Sequence, residues 1–174
     1  MAGNKIPCVL INARVYNAGK AYLGQADCEI GNLEYMTESV TGLGIAGELD
    51  VPVLGHFKSL TLKLKWNTVC HEAMQLMKPK THQLQIYASI QNWETENGEF
   101  IAVPCRVACR ATPKKGGIGK FEPGKKMEPE SEFELVQIQM SINGGDVLEI
   151  DKTNMKCAID GIDYLADVRS QLGQ

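Results

Sequence analysis

Cysteine and histidine are the residue types here best suited to metal binding or nucleophilic chemistry, and their spacing decides whether they can do either. Cys105 and Cys109 stand four residues apart on one expected strand face, as two ligands of a zinc site would. Tetrahedral zinc needs four converging ligands, however, and no second Cys or His pair has comparable spacing. Two core thiols are the simpler expectation. Cys70 and His71 are adjacent in a helical stretch. Their side chains diverge there, which suits neither a shared metal nor a thiolate and imidazole pair. His56 and His82 have no evident partners. With Cys8, Cys28 and Cys157 also scattered, the six cysteines do not resemble a disulfide scaffold. They are expected to be reduced and to serve as small buried hydrophobes. The acidic residues include no pair singled out as acid and base, and no GxSxG nucleophile signature is present. No catalytic residue, cofactor or metal is expected.

Two glycine clusters imitate phosphate-binding loops. Gly42-Leu43-Gly44-Ile45-Ala46-Gly47 has the GxGxxG spelling, in which glycines let the backbone approach a pyrophosphate at a helix N-terminus. That mechanism requires a helix to begin at the third glycine. Glu48-Leu49-Asp50-Val51-Pro52 reads instead as extended chain, and Pro52 would interrupt a helix. Gly116-Gly117-Ile118-Gly119-Lys120 lacks the P-loop spacing and the Ser or Thr after its lysine, and Phe121-Glu122-Pro123 follows it. Both clusters are expected to be loops.

The elements around these residues follow a period of two. Val9, Ile11, Ala13 and Val15 alternate with Leu10, Asn12, Arg14 and Tyr16, before a turn at Asn17-Ala18-Gly19-Lys20. Leu60, Leu62, Leu64 and Trp66 alternate with Thr61, Lys63 and Lys65, a half-buried strand. Leu84 to Ile90 alternates likewise, and Asn97-Gly98 supplies the positive φ values of a tight hairpin. The returning strand places Val103, Cys105, Val107, Cys109 and Ala111 on one side and Arg106 and Arg110 on the other. Val136 to Ile142 alternates next, Gly144-Gly145 turns the chain into Val147 to Ile150, and Met155, Cys157 and Ile159 share a final strand face.

A helix is expected over Thr68 to Lys78, with Thr68 as N-cap, Val69, Ala73, Leu76 and Met77 as its apolar stripe, and Pro79 as its end. A second is expected over Asp163 to Leu172, capped by Asp163 and closed by Gly173. Thr112 to Glu130, with five lysines and four glycines, reads as a long exposed loop that is either solvated or a partner-docking surface.

At 174 residues the chain fits one domain, 1–174, with no internal repeat or linker. Its 18 basic and 21 acidic residues give 18 − 21 = −3, which excludes avid binding of nucleic acid or anionic membrane by the whole surface. The apolar run Ile6 to Ile11 contains Pro7 and is too short for a secretory signal or a membrane span, so a cytoplasmic chain is expected.

The segment Glu149-Ile150-Asp151-Lys152-Thr153-Asn154-Met155, followed by Asp160-Gly161-Ile162-Asp163-Tyr164-Leu165-Ala166-Asp167-Val168-Arg169-Ser170-Gln171-Leu172-Gly173, resembles the ending of major tail tube proteins of contractile-tailed phages and phage-tail-like bacteriocins. Ile150, Asp151, Asn154, Met155, Gly161, Asp163, Leu165, Arg169 and Gly173 carry the match as structural residues. Lys152-Thr153 departs from it, because bulkier apolar residues are usual there. The likeness continues more weakly through Ile6-Pro7, Asn12, Gly42 to Gly47, the central helix and Pro123-Gly124.

The resemblance implies a mainly β subunit, an antiparallel β-sandwich or barrel-like tail tube fold with one central helix and a short C-terminal helix. It implies homohexameric rings whose inner sheets join and which stack into a hollow tube. The implied partners are further copies of the chain and the tail sheath, baseplate and tail terminator proteins; no membrane is involved. DNA could pass through such a tube without being held tightly, because a polar, near-neutral or acidic lining avoids salt-dependent phosphate contacts. The implied locations are the bacterial host cytoplasm during assembly and then the virion tail or phage-tail-like particle. The alternatives are a secretion-system tube protein and a stand-alone β-sandwich ligand-binding module. The apolar stretch Thr41 to Gly55 suits a segment ordered against a neighbour, which makes Leu43, Gly44, Ile45, Val51, Val53 and Leu54 the candidate subunit or ring contacts.

Overall fold

The computed structural model describes residues 5–17, 21–23, 26–42 and 44–173. In chain order these form β1 (Lys5–Asn17), β2 (Ala21–Tyr22), β3 (Ala26–Ile30), β4 (Tyr35–Val40), β5 (Leu49–Phe57), β6 (Thr61–Trp66), α1 (His71–Gln75), β7 (His82–Glu94), β8 (Glu99–Gly116), β9 (Glu130–Ile142), β10 (Gly145–Asp151), β11 (Lys156–Ile159), β12 (Ile162–Asp163) and α2 (Ala166–Gln171). The fold is mainly β, antiparallel and barrel-like, with two short helices. All strands except β4 and β5 belong to one sheet of order β12-β11-β10-β9-β8-β7-β1-β2, from which a β6–β3 leaf branches at β9.

The branch has a local cause. Residues Glu130–Glu134 of β9 pair with β6, whereas Gln137–Ile142 pair with β10 on the same edge. Between them Val136 is an extra residue opposite β8, where Arg110 faces Gln137 and Ala111 faces Leu135. A bulge of this kind reverses which side chains point inward. Phe133 and Leu135 are therefore buried before it, and Ile138 after it. The backbone marks the fork directly: Leu135 N–H donates to Leu60 C=O at 2.8 Å, and Lys152 N–H to Val136 C=O at 3.1 Å.

The leaf folds back over the long strands. Leu62 and Leu64 of β6 are fully buried, in one core with Leu84 and Ile86 of β7, Val107 and Cys109 of β8, and Ala73 and Leu76 of the α1 region. Each large aliphatic side chain buried this way contributes about 1.5–3 kcal/mol. Burial pushes the Cys28 thiol up to about 11, with a smaller push from the Asp27 carboxylate. Burial likewise pushes Cys109 up to about 12, and Cys28 across the core adds to it. All six cysteines are free, but only Cys109 and Cys157 are buried: Cys28, Cys70 and Cys105 are half-buried and Cys8 is exposed.

Several local expectations are corrected. α1 is only His71–Gln75, because Cys70 occupies the N-cap position and Thr68 donates instead to Val69 C=O and Met127 Sδ. α2 begins at Ala166, since Asp163 lies in β12 and no side chain caps the helix; Gly173 (φ 77°) does close it. The β9–β10 turn is Asn143-Gly144 (φ 52° and 81°), one residue earlier than the glycine pair suggested. At the β7–β8 end Gly98 (φ 68°) takes the left-handed position within a loop longer than two residues. Met155 precedes β11 and has φ 49°. The stretch Thr112 to Glu130 is a loop only over 117–129: β8 runs to Gly116, β9 starts at Glu130, and Pro129 is buried. Residues 18–20 of the turn expected after β1 lie outside the described residues.

Candidate functional site

With no catalytic constellation to organise the surface, what stands out is apolar side chains that the fold leaves uncovered. β4 and β5 pair with each other apart from the main sheet, in the register Val40↔Leu49, Ser39↔Asp50 and Glu38↔Val51. They make a two-stranded arm that carries the glycine cluster at its tip. Ser39 Oγ donates to Glu48 Oε1 at 2.6 Å and ties the two strands together. A ribbon of two strands has no core of its own. Tyr35, Met36, Val40, Leu49 and Leu54 are exposed, Leu54 to 55%.

Among the candidate contacts, Gly44 (φ 93°) and Ile45 sit at the arm's tip, and Val51, Val53 and Leu54 lie on β5. Ile45, Val51 and Val53 are each exposed. Leu43 lies outside the described residues. What read as the loop Thr41 to Gly55 is thus half strand. Its partner β4 went unread because Thr37, Glu38 and Ser39 dilute its apolar pattern; the signal available was Tyr35-Met36 and Val40 placed before a glycine.

The arm's root is held firmly. The Tyr35 and Phe57 rings pack at a tilt of 41° with centroids 4.6 Å apart, and Lys58 N–H donates to Glu34 C=O at 2.9 Å. Gly55 (φ 65°) packs directly on Leu165. Leu165 is buried and is positioned by the C-terminal motif. Asp163 Oδ1 accepts from Leu165 N–H at 3.0 Å, and Asp163 Oδ2 accepts from Arg169 Nη2 at 2.7 Å. Arg169 Nη1 then donates to Met155 C=O at 2.8 Å. The Arg169 hydrogen bond holds the Asp163 carboxyl below the ordinary carboxylate range, with burial opposing it and two backbone N–H groups helping. Gly161 (φ 79°) follows Asp160 (φ 51°) in the tight turn between β11 and β12.

The first half of the motif forms a second staple. Ile150 is buried, and Asp151 Oδ1 accepts from Thr153 N–H, Thr153 Oγ1 and Asn154 N–H at 2.9, 2.6 and 3.1 Å. Asn154 Nδ2 donates to Asp151 Oδ2 at 2.7 Å. Burial raises the cost of charging Asp151, but these donors outweigh it and its pKa is lowered. The two departures from the family pattern are both engaged. Lys152 Nζ reaches Glu134 Oε1 at 2.9 Å, while Thr153 Oγ1 accepts from Arg110 Nη2 at 3.0 Å. Arg110, which the alternation places on the polar side of its strand, therefore ties β8 to the motif.

A second uncovered area lies at the far end of the long strands. β1 pairs there with β7 along 5–12, beyond the reach of the core. Val9 and Leu10 are exposed to 57% and 59%, and Phe100 to 66%, with Ile6, Ile11 and Trp93 beside them. Cys8 shares this wing. The solvent face of the same sheet is polar and carries a patch of amides: Gln83 and Gln85 of β7 lie near Gln137 and Gln139 of β9 across Arg110 and Ala108. Of the arginines on this face, Arg14 lies over the Tyr22 ring at 5.6 Å, Arg106 over the Tyr87 ring at 5.5 Å, and Arg110 is held by Thr153 and, at 3.7 Å, by Asp151.

The model of the family described as phage tail tube protein FII matches residues 7–173. No curated protein matches the chain. The fold is similar to a chain from the cryo-EM structure of an extracellular contractile injection system, the PVC sheath/tube terminator in the extended state. There the TM-score is 0.53 at 13% identity, over 78% of this chain and 96% of that one. It is similar also to a chain of the PVC sheath-tube complex in the extended state, with TM-score 0.54, 13% identity, and 78% and 91% of the two chains covered.

Proposed function

Because this chain belongs to the phage tail tube protein FII family, we propose that it is the repeating subunit of a contractile tail tube, built as stacked homohexameric rings within a sheath. As a tail tube protein it has a structural role, and in this reading it performs no catalysis and acts as one domain. The observation that carries the reading is the pair of uncovered apolar elements, the β4–β5 arm and the β1–β7–β8 wing. Contiguous apolar surface of this kind is characteristic of interfaces, and a strand edge such as that of β1 needs a covering partner.

Gly44, Ile45, Val51, Val53 and Leu54, with Leu43, then belong to contacts between subunits or rings. The motif residues from Ile150 to Gly173 act inside the subunit and hold the arm's root. The glutamine-rich face lines the channel, where its uncharged amides and engaged arginines would let DNA or another polymer pass without strong phosphate binding. Sheath, baseplate and terminator proteins are the further partners. The fold's likeness to chains of sheath-containing assemblies supports the first and last of these. Assembly in the host cytoplasm precedes the tail or phage-tail-like particle.

Negative-stain microscopy and light scattering of purified, concentrated protein test the reading. Six-fold rings or tubes are expected. A well-folded monomer at every concentration, even with baseplate components added, would overturn it.

A further inference from the structure

We propose that a trough beside β1 is the seat into which the β4–β5 arm of a second copy of this chain inserts. The inference rests on the tube reading and names the receiving surface that this reading leaves open.

The trough encloses about 470 Å³ between two strands that face each other without pairing. Leu10–Ala13 of β1 forms one wall and Ala26–Cys28 of β3 the other. β1 uses one edge for β7, and on its other edge pairs with β2 only at Tyr16 and Asn17. β3 pairs with β6 alone. Ala13 N–H is taken by Asn12 Oδ1 at 2.8 Å, but otherwise both walls present backbone N–H and C=O groups that lack strand partners among the described residues. Such groups take up an added extended segment readily, and the backbone then supplies affinity while side chains supply selectivity.

Side-chain chemistry selects the arm as that segment. Lys65 and Lys126 stand at the trough, against the single acid Asp27. Lys65 meets Glu128 only at 3.7 Å, between two half-exposed side chains. The arm has the opposite character: from Tyr35 to Gly55 it carries Glu38, Glu48 and Asp50 and neither lysine nor arginine. Its exposed Val40, Ile45 and Leu49 match the apolar wall of Leu10, Ile11 and Ala13. Apolar complementarity with opposite net charge is the combination that fixes a register between partners. Among the described residues β4 and β5 have no strand partner but each other, so a second copy is the occupant that the charges favour.

Charge exchange tests the proposal. Lys65→Gln with Lys126→Glu in the trough, or Glu48→Lys with Asp50→Lys on the arm, should each raise the concentration needed for tube formation by about tenfold or more. All four changes together should recover most of that loss. Far-UV circular dichroism and thermal melting establish that each variant is folded. Should a charge variant misfold, Asp27→Cys with Asp50→Cys in a Cys8→Ser background provides the second readout: mild oxidation of assembled tubes should give subunit ladders on non-reducing gels. Tubes that form equally well in both charge variants, a four-fold variant without recovery, or assembled cysteine variants that yield no ladder would overturn the docking inference and leave the tube reading intact. A wild-type chain that never assembles under the same conditions would overturn both.

Discussion

A Cβ added at Gly55 would fall 2.6 Å from the Leu165 side chain, so the arm and the C-terminal motif meet at a point with no room for another atom. Gly55 also has φ 65°, a conformation that costs other L-residues roughly 1–2 kcal/mol. Gly55→Ala should therefore lose at least that much stability, with further cost as Leu165 is pushed aside. Leu165→Ala should cost about 2–5 kcal/mol through the cavity it leaves. Urea unfolding of dilute protein measures both. If Gly55→Ala melts and assembles like wild type, the root is not the rigid joint described.

Acid should loosen the same region. Asp163 and Asp151 are both held below the ordinary carboxylate range, Asp163 chiefly by Arg169, and Asp151 by Thr153 and Asn154 against an opposing burial effect. A depressed folded-state pKa means that the stability is fully present above the unfolded value, about 3.9, and is lost as pH falls through the folded value. Thermal midpoints should thus change little between about pH 7 and pH 5 and fall below about pH 4. Asp163→Asn and Asp151→Asn should be less stable at neutral pH and show a flatter acid limb. An acid limb as steep in both variants as in wild type would remove these two carboxylates from the explanation.

The sequence discloses what depends on local pattern and conceals what depends on distant pairing. Leu60, Leu62, Leu64 and Trp66 announce a buried strand face because each sits two residues from the next, and all four are buried. The C-terminal motif was legible as spacing, since Asp151 and Asp163 cap turns within a few residues of themselves. By contrast, β9 changes partner from β6 to β10 at a bulge whose only local trace is the apolar doublet Leu135-Val136. The arm was half legible: Val51 and Val53 could be seen as poor loop residues, but pairing with β4 is a long-range fact. Thr68 looked like a helix cap because its type allows it, yet a sulfur 59 residues away takes its hydroxyl.

Removing Val136 should be far worse than altering it. Without the extra residue, either Phe133 and Leu135 or Ile138 must face solvent, because one register step inverts a strand. The deletion should give protein that fails to fold, read as insolubility or loss of the cooperative melt. Val136→Thr keeps the bulge and should remain folded, with a stability change of about 1 kcal/mol. A soluble deletion variant with a wild-type melt would show that the fork does not depend on the bulge.

The cysteines offer a probe of which surfaces assembly covers. Cys109 is buried with its thiol pushed up to about 12, and Cys28 is partly buried with its thiol at about 11. The thiolate is the nucleophile, so at about pH 8 neither should react appreciably in the folded chain. Cys8 is exposed on the wing beside Val9 and Leu10. Maleimide labelling followed by peptide mass analysis should therefore modify Cys8 first in dissociated subunits, and Cys28 and Cys109 only after denaturation. If the wing is an interface, Cys8 should label at least about tenfold more slowly in assembled tubes, because reaction then waits on dissociation or local opening. Equal labelling of Cys8 before and after assembly would leave the wing outside the contacts and shift the explanation of its apolar surface to another partner, such as the sheath.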